Sequence, residues 1–250
     1  MIDNTIIRIT NWIKEYFVEN GPDCKAVIGI SGGKDSTIAA TLLCEALGPE
    51  RVIAVKMPQG FQHDIEVANK VIKYLDIKEV YEINIGSTCD ALYSNLPDNI
   101  RDNQAVKSNT PARVRMSILY AIAAAQHGRV VNTCNKSEDY VGYSTKFGDS
   151  AGDFSIFANY TVREVKEIGR YLDIPSEFID KVPEDGLSGL TDEDNLGFTY
   201  EQLDRYLNDG IYPDYDTYKN IEERHKRNLH KIRRMPTCPN FNKHSRYDDI

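Results

Sequence analysis

The sequence contains few cysteines, and the five present are scattered along the chain: Cys24, Cys44, Cys89, Cys134 and Cys238. Their number is odd and no C-x-x-C pair occurs, which argues against a disulfide framework and against a zinc site. Unpaired cysteines are typical of proteins from a reducing compartment, so we expect a cytoplasmic protein.

Long hydrophobic runs are also lacking. No segment approaches the roughly 20 apolar residues of a transmembrane helix. Residues 1–20 alternate polar and apolar side chains and lack the apolar core of a signal peptide. We therefore expect a soluble protein with no membrane partner.

Positive charge is not in excess, since 30 lysines and arginines stand against 38 acidic residues and leave a formal net charge of −8. Nucleic-acid binding calls for a basic surface, so we expect no nucleic-acid partner. An anionic nucleotide is still compatible, because a local nest of backbone N–H groups can be positive on an acidic protein. The length of 250 residues suffices for a substantial core. We interpret residues 1–250 as a single domain.

Strands and helices alternate along the chain. An amphipathic pattern of isoleucines and aromatics predicts a first helix. Short apolar or alternating runs predict strands at 25–30, 51–57, 79–85 and 129–133. Helical patterns cover residues 36–47, 64–75, 112–127, 161–172, 200–207 and 215–233. The segment 95–108 is predicted to be a polar loop, and helix 112–127 to be largely buried. The pattern predicts an α/β fold: a Rossmann-like, doubly wound, mostly parallel sheet with helices on both faces.

The most specific local pattern is the hexapeptide Ser31-Gly32-Gly33-Lys34-Asp35-Ser36 between the first strand and the next helix. Two adjacent glycines let the backbone turn sharply and bring its N–H groups close to an anion. The following helix directs its positive end to the same place. Asp35 can hold a metal that bridges phosphates. The loop is shorter than a Walker loop. A Gly-Gly turn in an ordinary βα unit is the alternative, but the full pattern resembles the loop of enzymes that split ATP between its α and β phosphates.

In parallel sheets the ligand lies beyond the carboxyl ends of the strands. The phosphate loop, the loop 57–64 and the turn 132–138 all follow predicted strands, so we expect them to converge on one crevice. The segment 182–197 shows no periodicity and is longer than a typical connection, which predicts a mobile lid over that crevice.

Further groups are weaker signals when taken singly. Arg113 and Arg115 at a helix entry can reach different parts of one extended anion, although solvated surface arginines are the ordinary alternative. Glu138 follows a strand end, where hard oxygen ligands suit Mg²⁺. The alternative for Glu138 and for Asp153 is helix capping or a turn. Lys146 alone is an ordinary surface lysine.

The pair His230-Lys231 lies near the end of the last predicted helix. A basic helix C-terminus is the expected partner of the helix dipole, and this remains the ordinary explanation for the pair on its own.

Together these groups resemble the NAD synthetase family, in its ammonia-dependent, single-domain form. Six patterns in matching order carry the resemblance: Gly29-Ile30-Ser31-Gly32-Gly33-Lys34-Asp35-Ser36, Met57-Pro58-Gln59-Gly60, Ala112-Arg113-Val114-Arg115-Met116, Thr145-Lys146-Phe147-Gly148-Asp149, Thr191-Asp192-Glu193 with Leu196-Gly197, and His230-Lys231. The resemblance extends from the first helix almost to the C-terminus.

The resemblance implies ATP-dependent amidation of deamido-NAD by ammonia through an adenylated intermediate, without a covalent enzyme nucleophile. ATP would be bound by Gly29, Ile30, Ser31, Gly32, Gly33, Lys34, Asp35, Ser36 and Thr133. Deamido-NAD would be bound by Arg113, Lys146, Asp153, His230 and Lys231. Mg²⁺ would be held by Asp35 and Glu138. A homodimer with substrate sites at the subunit interface is also implied.

Two positions depart from the family pattern. Val162 stands where the family usually has a phosphate-binding lysine, and Arg163 or Lys166 is a candidate replacement. Glu184 stands where the family usually offers a threonine to ATP. Two other functions stay open at this point: another ligase or thiolase with the same loop, and a nucleotide-binding regulator without turnover.

Overall fold

A computed structural model describes residues 2–60, 65–180 and 191–238. Its strands are β1 (Lys25–Gly29), β2 (Val52–Lys56), β3 (Glu79–Glu82), β4 (Gly128–Asn132) and β5 (Phe154–Ser155). They form one sheet in the order β3-β2-β1-β4-β5, and every pairing is parallel. The order reverses between β1 and β4, which confirms the doubly wound α/β fold and places a ligand crevice at the carboxyl ends of these two strands.

The helices of the described ranges are α1 (Ile2–Asn20), α2 (Lys34–Leu47), α3 (Ile65–Tyr74), α4 (Gly86–Ser94), α5 (Asp98–Arg101), α6 (Gln104–Ala125), α7 (Lys136–Val141), α8 (Val162–Tyr171), α9 (Ser176–Ile179), α10 (Asp192–Leu196), α11 (Tyr200–Asp209) and α12 (Tyr215–Ile232), with a 3-10 turn at Pro49–Arg51. None of them combines the length and the apolar character needed to cross a membrane.

Alternate residues of the central strands face two separate cores, as expected for strands covered on both sides. Ala26 and Ile28 of β1 pack with α1, α2 and α8 on one face, whereas Val27 packs with α6 on the other. Helix α1 contributes Ile13 and Phe17, which are almost fully buried. The predicted helices on both faces are therefore confirmed.

Helix α6 corrects the prediction for residues 95–108 and 112–127. The helix begins at Gln104, after Asn103 caps it by accepting a hydrogen bond from the N–H of Ala105 at 2.9 Å. It continues through Pro111, although proline removes one helical hydrogen bond. The polar-loop prediction was wrong because a proline inside a helix resembles a helix start in sequence.

The same helix is buried on one side only. Met116, Leu119 and Ala123 face the sheet and are at most 7% exposed. The opposite side, including Tyr120, Ala121 and Ala124, is exposed. The expectation of a largely buried helix was therefore wrong for the single chain.

Smaller differences concern short helices. Helices α4 and α5 were not predicted, and the aperiodic segment 182–197 contains α10 at its end. The predicted lid residues 182–190 lie outside the described residues. A third apolar cluster, formed by α10, α11 and α12 with residues such as Leu203 and Ile221, supports α7 and so builds the far wall of the crevice.

Candidate active site

The phosphate loop connects the end of β1 to the start of α2. Gly32 has a φ of +81°, a left-handed conformation that favours glycine. Gly33 is the N-cap of α2 in extended conformation and brings no side chain to cap the helix. The first N–H groups of α2 are therefore left for an anion, which the positive end of the helix dipole attracts.

Two serines fix the shape of this loop. The Gly33 N–H donates to Ser31 Oγ at 3.2 Å, and the Ser31 N–H donates to Ser36 Oγ at 3.3 Å. Ser36 Oγ donates in turn to the carbonyl oxygen of Gly33 at 3.1 Å. The loop is thus closed by its own hydroxyl groups, and its backbone is held in place before any ligand binds.

The opposite wall comes from the end of β4 and the start of α7. Asn135 caps α7 in a capping box, in which its Oδ1 accepts from the Glu138 N–H at 3.1 Å and its own N–H donates to Glu138 Oε2 at 3.2 Å. This box turns the Glu138 side chain toward the phosphate loop. Asn132, the last residue of β4, holds the neighbouring turn by donating to the carbonyl oxygens of Asp149 at 2.8 Å and Ala151 at 3.0 Å.

These walls enclose a cavity of about 230 Å³. Its lining residues are Ser31, Gly33, Asp35, Ser36, Thr133, Cys134, Glu138, Tyr143, Asp149 and Asp192. The convergence of the phosphate loop with the turn after β4 is therefore as predicted. The other predicted ATP-binding residues, Gly29, Ile30, Gly32 and Lys34, belong to the same strand–loop–helix connection.

The electrostatics of the cavity are dominated by its carboxylates. Burial, reinforced by the charge of Asp35, raises the pKa of Glu138 to about 8. Burial also raises the pKa of Asp192. Lys34 Nζ pairs with Asp35 Oδ2 at 2.8 Å. Repulsion and desolvation destabilise the charged forms of acids that are crowded in this way. A bound cation would relieve both effects.

Asp35 and Glu138 suit Mg²⁺ when phosphates are present. No group of three or more His, Cys, Asp or Glu residues with metal-site geometry occurs in the part of the chain that the structure describes. Mg²⁺ usually takes one or two carboxylates and completes its shell with phosphate oxygens and water. Two acids facing a phosphate cradle match that donor set.

A second group of basic residues lies beside the cavity. Arg113 Nε donates to the carbonyl oxygen of Lys146 at 3.2 Å, and Lys146 Nζ donates to the carbonyl oxygen of His230 at 2.7 Å. Lys231 Nζ donates to the carbonyl oxygens of Gly142 at 2.6 Å and Ser144 at 2.9 Å. The structure thus brings together four of the five residues predicted for deamido-NAD, from α6, α12 and the turn between α7 and β5.

Comparison with known proteins identifies the family. The family model described as NAD synthase matches residues 5–247. The chain belongs to the NAD synthase family. Among curated members it is 42% identical to the NH3-dependent NAD+ synthetase of Methanococcoides burtonii over 186 residues, which are 73% of this chain and 70% of that protein. It is 38% identical to the enzyme of the same name from Thermoplasma acidophilum over 218 residues, 84% of this chain and 88% of that protein.

Solved structures of this family superpose on most of the chain. The NMN synthetase of Francisella tularensis is 36% identical and gives a TM-score of 0.87, covering 96% of this chain and 99% of that one. The NH3-dependent NAD synthetase of Campylobacter jejuni is 29% identical with a TM-score of 0.78, covering 96% of this chain and 100% of that one. The NAD synthase fold is therefore shared along nearly the whole chain.

Asp153 lies apart from the other predicted ligands of this NAD synthase chain. Its Oδ2 accepts from the Val130 N–H at 2.7 Å, and its Oδ1 accepts from the hydroxyl of Tyr120 at 3.4 Å. Asp153 is exposed beside the open side of α6 rather than in the cavity lining. Its role toward deamido-NAD remains a prediction, and it requires a substrate that reaches this face.

Four cavity residues were not predicted as site residues: Cys134, Tyr143, Asp149 and Asp192. Asp149 closes the turn that carries Lys146, because its Oδ1 accepts from the Thr145 N–H at 2.9 Å. Asp149 and Asp192 stand in two of the short patterns that carry the family resemblance, and those patterns were the available signal for them.

Proposed function

We propose that the chain catalyses the ATP-dependent amidation of deamido-NAD by ammonia, giving NAD, AMP and pyrophosphate. The observation that carries this proposal is the meeting of a serine-closed phosphate cradle with two carboxylates, Asp35 and Glu138, in one cavity of an NAD synthase fold. An oxygen of the nicotinate carboxylate attacks the α-phosphorus of ATP, and the bond to pyrophosphate breaks. Ammonia then attacks the acyl carbon, loses a proton, and AMP leaves.

The phosphate loop has the main role in the first step. Pyrophosphate departs with more negative charge than it carries inside ATP, so preorganised donors stabilise the transition state more than the substrate. The free N–H groups of α2 are such donors, and the hydrogen-bonded hydroxyls of Ser31 and Ser36 hold the loop that presents them. Thr133 lines the opposite wall and lies within the same cavity.

Asp35 and Glu138 would hold Mg²⁺, whose charge would further neutralise the departing pyrophosphate. The two acids come from α2 and α7, and Asn135 connects them by donating from Nδ2 to Asp35 Oδ1 at 3.3 Å. Their spacing is therefore fixed by the fold.

The basic group of Arg113, Lys146, His230 and Lys231 would orient deamido-NAD. The side-chain hydrogen bonds of Arg113, Lys146 and Lys231 described above run to backbone carbonyl oxygens. Their positive charges are thus not neutralised by those partners, and they remain available to the substrate diphosphate and carboxylate.

No covalent enzyme nucleophile is part of the proposed reaction. Cys134 lines the cavity, but burial, together with Glu138 and Asp149, raises the pKa of its thiol well above the ordinary value. A protonated thiol is a weak nucleophile, so adenylation of the carboxylate supplies the leaving group instead.

The test is release of pyrophosphate from ATP with deamido-NAD, measured with and without ammonium. We expect pyrophosphate release to depend on deamido-NAD, and NAD to form only when ammonium is present. A different ligase or thiolase would release pyrophosphate only with another acceptor, and a regulator without turnover would release none.

A second candidate substrate is nicotinate mononucleotide. The neighbour with a TM-score of 0.87 is named NMN synthetase, and amidation of the mononucleotide would use the same cradle and the same leaving group. Comparing kcat/KM for the two substrates decides between them. We expect deamido-NAD to be preferred, since the curated relatives at 38–42% identity carry the NAD synthetase name.

We also propose a cytoplasmic homodimer. The exposed side of α6, with Tyr120, Ala121 and Ala124, offers small and apolar side chains for a second copy. Asp153 lies beside this side of the helix. A partner packed there would bring deamido-NAD contacts from both subunits together, which is the arrangement that the family resemblance implies.

A further inference from the structure

The phosphate loop of this chain contains a lysine that the loop pattern does not require. The pattern is serine, glycine, glycine, any residue, aspartate, serine, and Lys34 occupies the unrestricted position. The side chain of Lys34 is only 4% exposed. Lysine is almost never this buried unless it is paired, so the position demands an explanation.

The partners of Lys34 are the acids of the cavity. Its Nζ lies 2.8 Å from Asp35 Oδ2, and the charges of Glu138 and Asp192 also act on it. Burial lowers the pKa of Lys34, but Asp35 and Glu138 more than offset this and leave the pKa above its ordinary value. Lys34 is therefore held by a carboxylate at the wall of the site.

Among the residues that the structure describes, the cavity lining offers a polyphosphate ligand acidic side chains and no cationic side chain. Four acidic residues line it, Asp35, Glu138, Asp149 and Asp192, and its described lining includes no lysine or arginine. A triphosphate cannot enter such a site without cations. Lys34 is bonded directly to one lining residue, so its ammonium group is next to the place where phosphate charge must be neutralised.

The sequence offered Arg163 or Lys166 as a replacement for the missing lysine, and neither of them lines the cavity. Val162 is buried in the apolar cluster with Leu196. Arg163 is engaged elsewhere, because its Nη1 and Nη2 each lie 2.9 Å from an oxygen of Asp209. Lys136, which was not one of these candidates, lies at the start of α7 and donates to Asn208 Oδ1 at 2.8 Å, so it can serve as a control.

We propose that Lys34 Nζ is the side-chain cation that binds the polyphosphate of ATP in this chain, exchanging its bond to Asp35 for a bond to phosphate. The inference rests on the proposed use of ATP. In the ligand-free site Lys34 neutralises Asp35. When ATP enters, phosphate oxygens accept from Nζ, and the Asp35 carboxylate becomes available to a divalent cation.

The first test measures binding of inorganic pyrophosphate by calorimetry at saturating Mg²⁺. We compare Lys34→Met with Lys34→Arg and with the control Lys136→Met. We expect Lys34→Met to weaken pyrophosphate binding by about tenfold or more, as for loss of a charge-assisted hydrogen bond. Lys34→Arg should retain most of the affinity, and Lys136→Met all of it. Pyrophosphate binding by Lys34→Met equal to that of the parent would overturn the proposal.

A purely structural role for Lys34 is distinguished by the metal alone. Mn²⁺ binding without phosphate, followed by electron paramagnetic resonance, should be at least as tight in Lys34→Met, because a competing cation has left Asp35. If Mn²⁺ and pyrophosphate weaken together, Lys34 only supports the site and the proposal is wrong. In turnover, the KM for ATP should rise while the KM for deamido-NAD stays unchanged.

If Lys34→Met does not fold, the parent protein still tests the proposal. The ¹⁵N resonance of Lys34 Nζ, assigned by its loss in Lys34→Arg, should shift on addition of Mg²⁺ and pyrophosphate. An unchanged resonance would contradict the proposed contact. This outcome is separate from the proposed function: a chain that forms NAD with an unshifted Lys34 refutes only the lysine contact, whereas Lys34-dependent pyrophosphate binding without NAD formation refutes only the substrate assignment.

Discussion

Asn135 connects the two carboxylates of the cavity. Its Nδ2 donates to Asp35 Oδ1 at 3.3 Å, and its backbone N–H donates to Glu138 Oε2 at 3.2 Å. Asn135 is fully buried. One side chain therefore caps α7 and also fixes the first turn of α2 relative to it, so capping and site geometry depend on the same residue.

Substitution of Asn135 separates these two roles. Serine can still cap α7 but cannot reach across to Asp35, whereas alanine does neither. We expect Asn135→Ala to be less stable than Asn135→Ser by about 1 kcal/mol in urea unfolding, the usual worth of an N-cap. Both variants should need more Mg²⁺ for half-maximal turnover. Equal Mg²⁺ requirements in the parent and in Asn135→Ser would show that the bond to Asp35 has no role in the site.

Substitution of the predicted metal ligands should abolish activity, and substitution of Glu138 should also raise the stability of the protein. Glu138→Gln removes an acid whose charged form burial and Asp35 both disfavour; the raised pKa of Glu138 means that this acid costs the folded state stability at neutral pH. We expect the metal-free variant to melt at a higher temperature than the parent. Pyrophosphate release should be abolished in Glu138→Gln and in Asp35→Asn, since losing a metal ligand costs several kcal/mol of charge stabilisation. Near-normal turnover of either variant at low Mg²⁺ would rule that residue out as a ligand.

The thiols of Cys44 and Cys134 should prove unreactive, and Cys134 should be dispensable for turnover. Burial raises the pKa of Cys44 to about 12 and that of Cys134 well above its ordinary value. Alkylation requires the thiolate. Iodoacetamide at pH 8 should therefore modify the exposed Cys238 and leave Cys44 and Cys134 unalkylated. Mass spectrometry of the labelled peptides measures this. Cys134→Ser should keep turnover within severalfold of the parent, and loss of all activity would point to covalent catalysis.

The residues that sequence could identify are those whose neighbours in space are also neighbours in the chain. The phosphate loop is of this kind, because Ser31, Gly33 and Ser36 hydrogen-bond within six positions. Residues such as Asp192 reach the cavity only through the packing of α10 onto distant helices, which periodicity does not reveal. The exposed side of α6 could not be predicted for the same reason. An apolar pattern in a helix does not tell whether the same chain or a second chain packs against it.

Substitutions in the basic group should weaken the binding of deamido-NAD and leave the binding of ATP unchanged. Arg113→Met and Lys146→Met each remove a positive charge whose bonds run to the carbonyl oxygens of Lys146 and His230. We expect each variant to raise the KM for deamido-NAD by about tenfold, the usual effect of losing one charged hydrogen bond. The KM for ATP should stay the same. Initial-rate kinetics with each substrate varied in turn measure this, and equal increases in both KM values would point to a general structural effect.

The exposed side of α6 should join two copies of the chain. Ala121 is exposed there, next to Tyr120 and on the side away from the sheet. Arginine is a good helix former, so Ala121→Arg should leave the fold of the single chain unchanged while placing a charge in the proposed apolar contact. We expect the parent to sediment as a dimer at micromolar concentration and Ala121→Arg as a monomer with reduced turnover. Glu167→Arg, at an exposed position of α8 on the other sheet face, serves as the matched control and should remain a dimer. An active monomer of the parent chain at that concentration would defeat the dimer proposal and would leave Asp153 without access to the substrate of a neighbouring site.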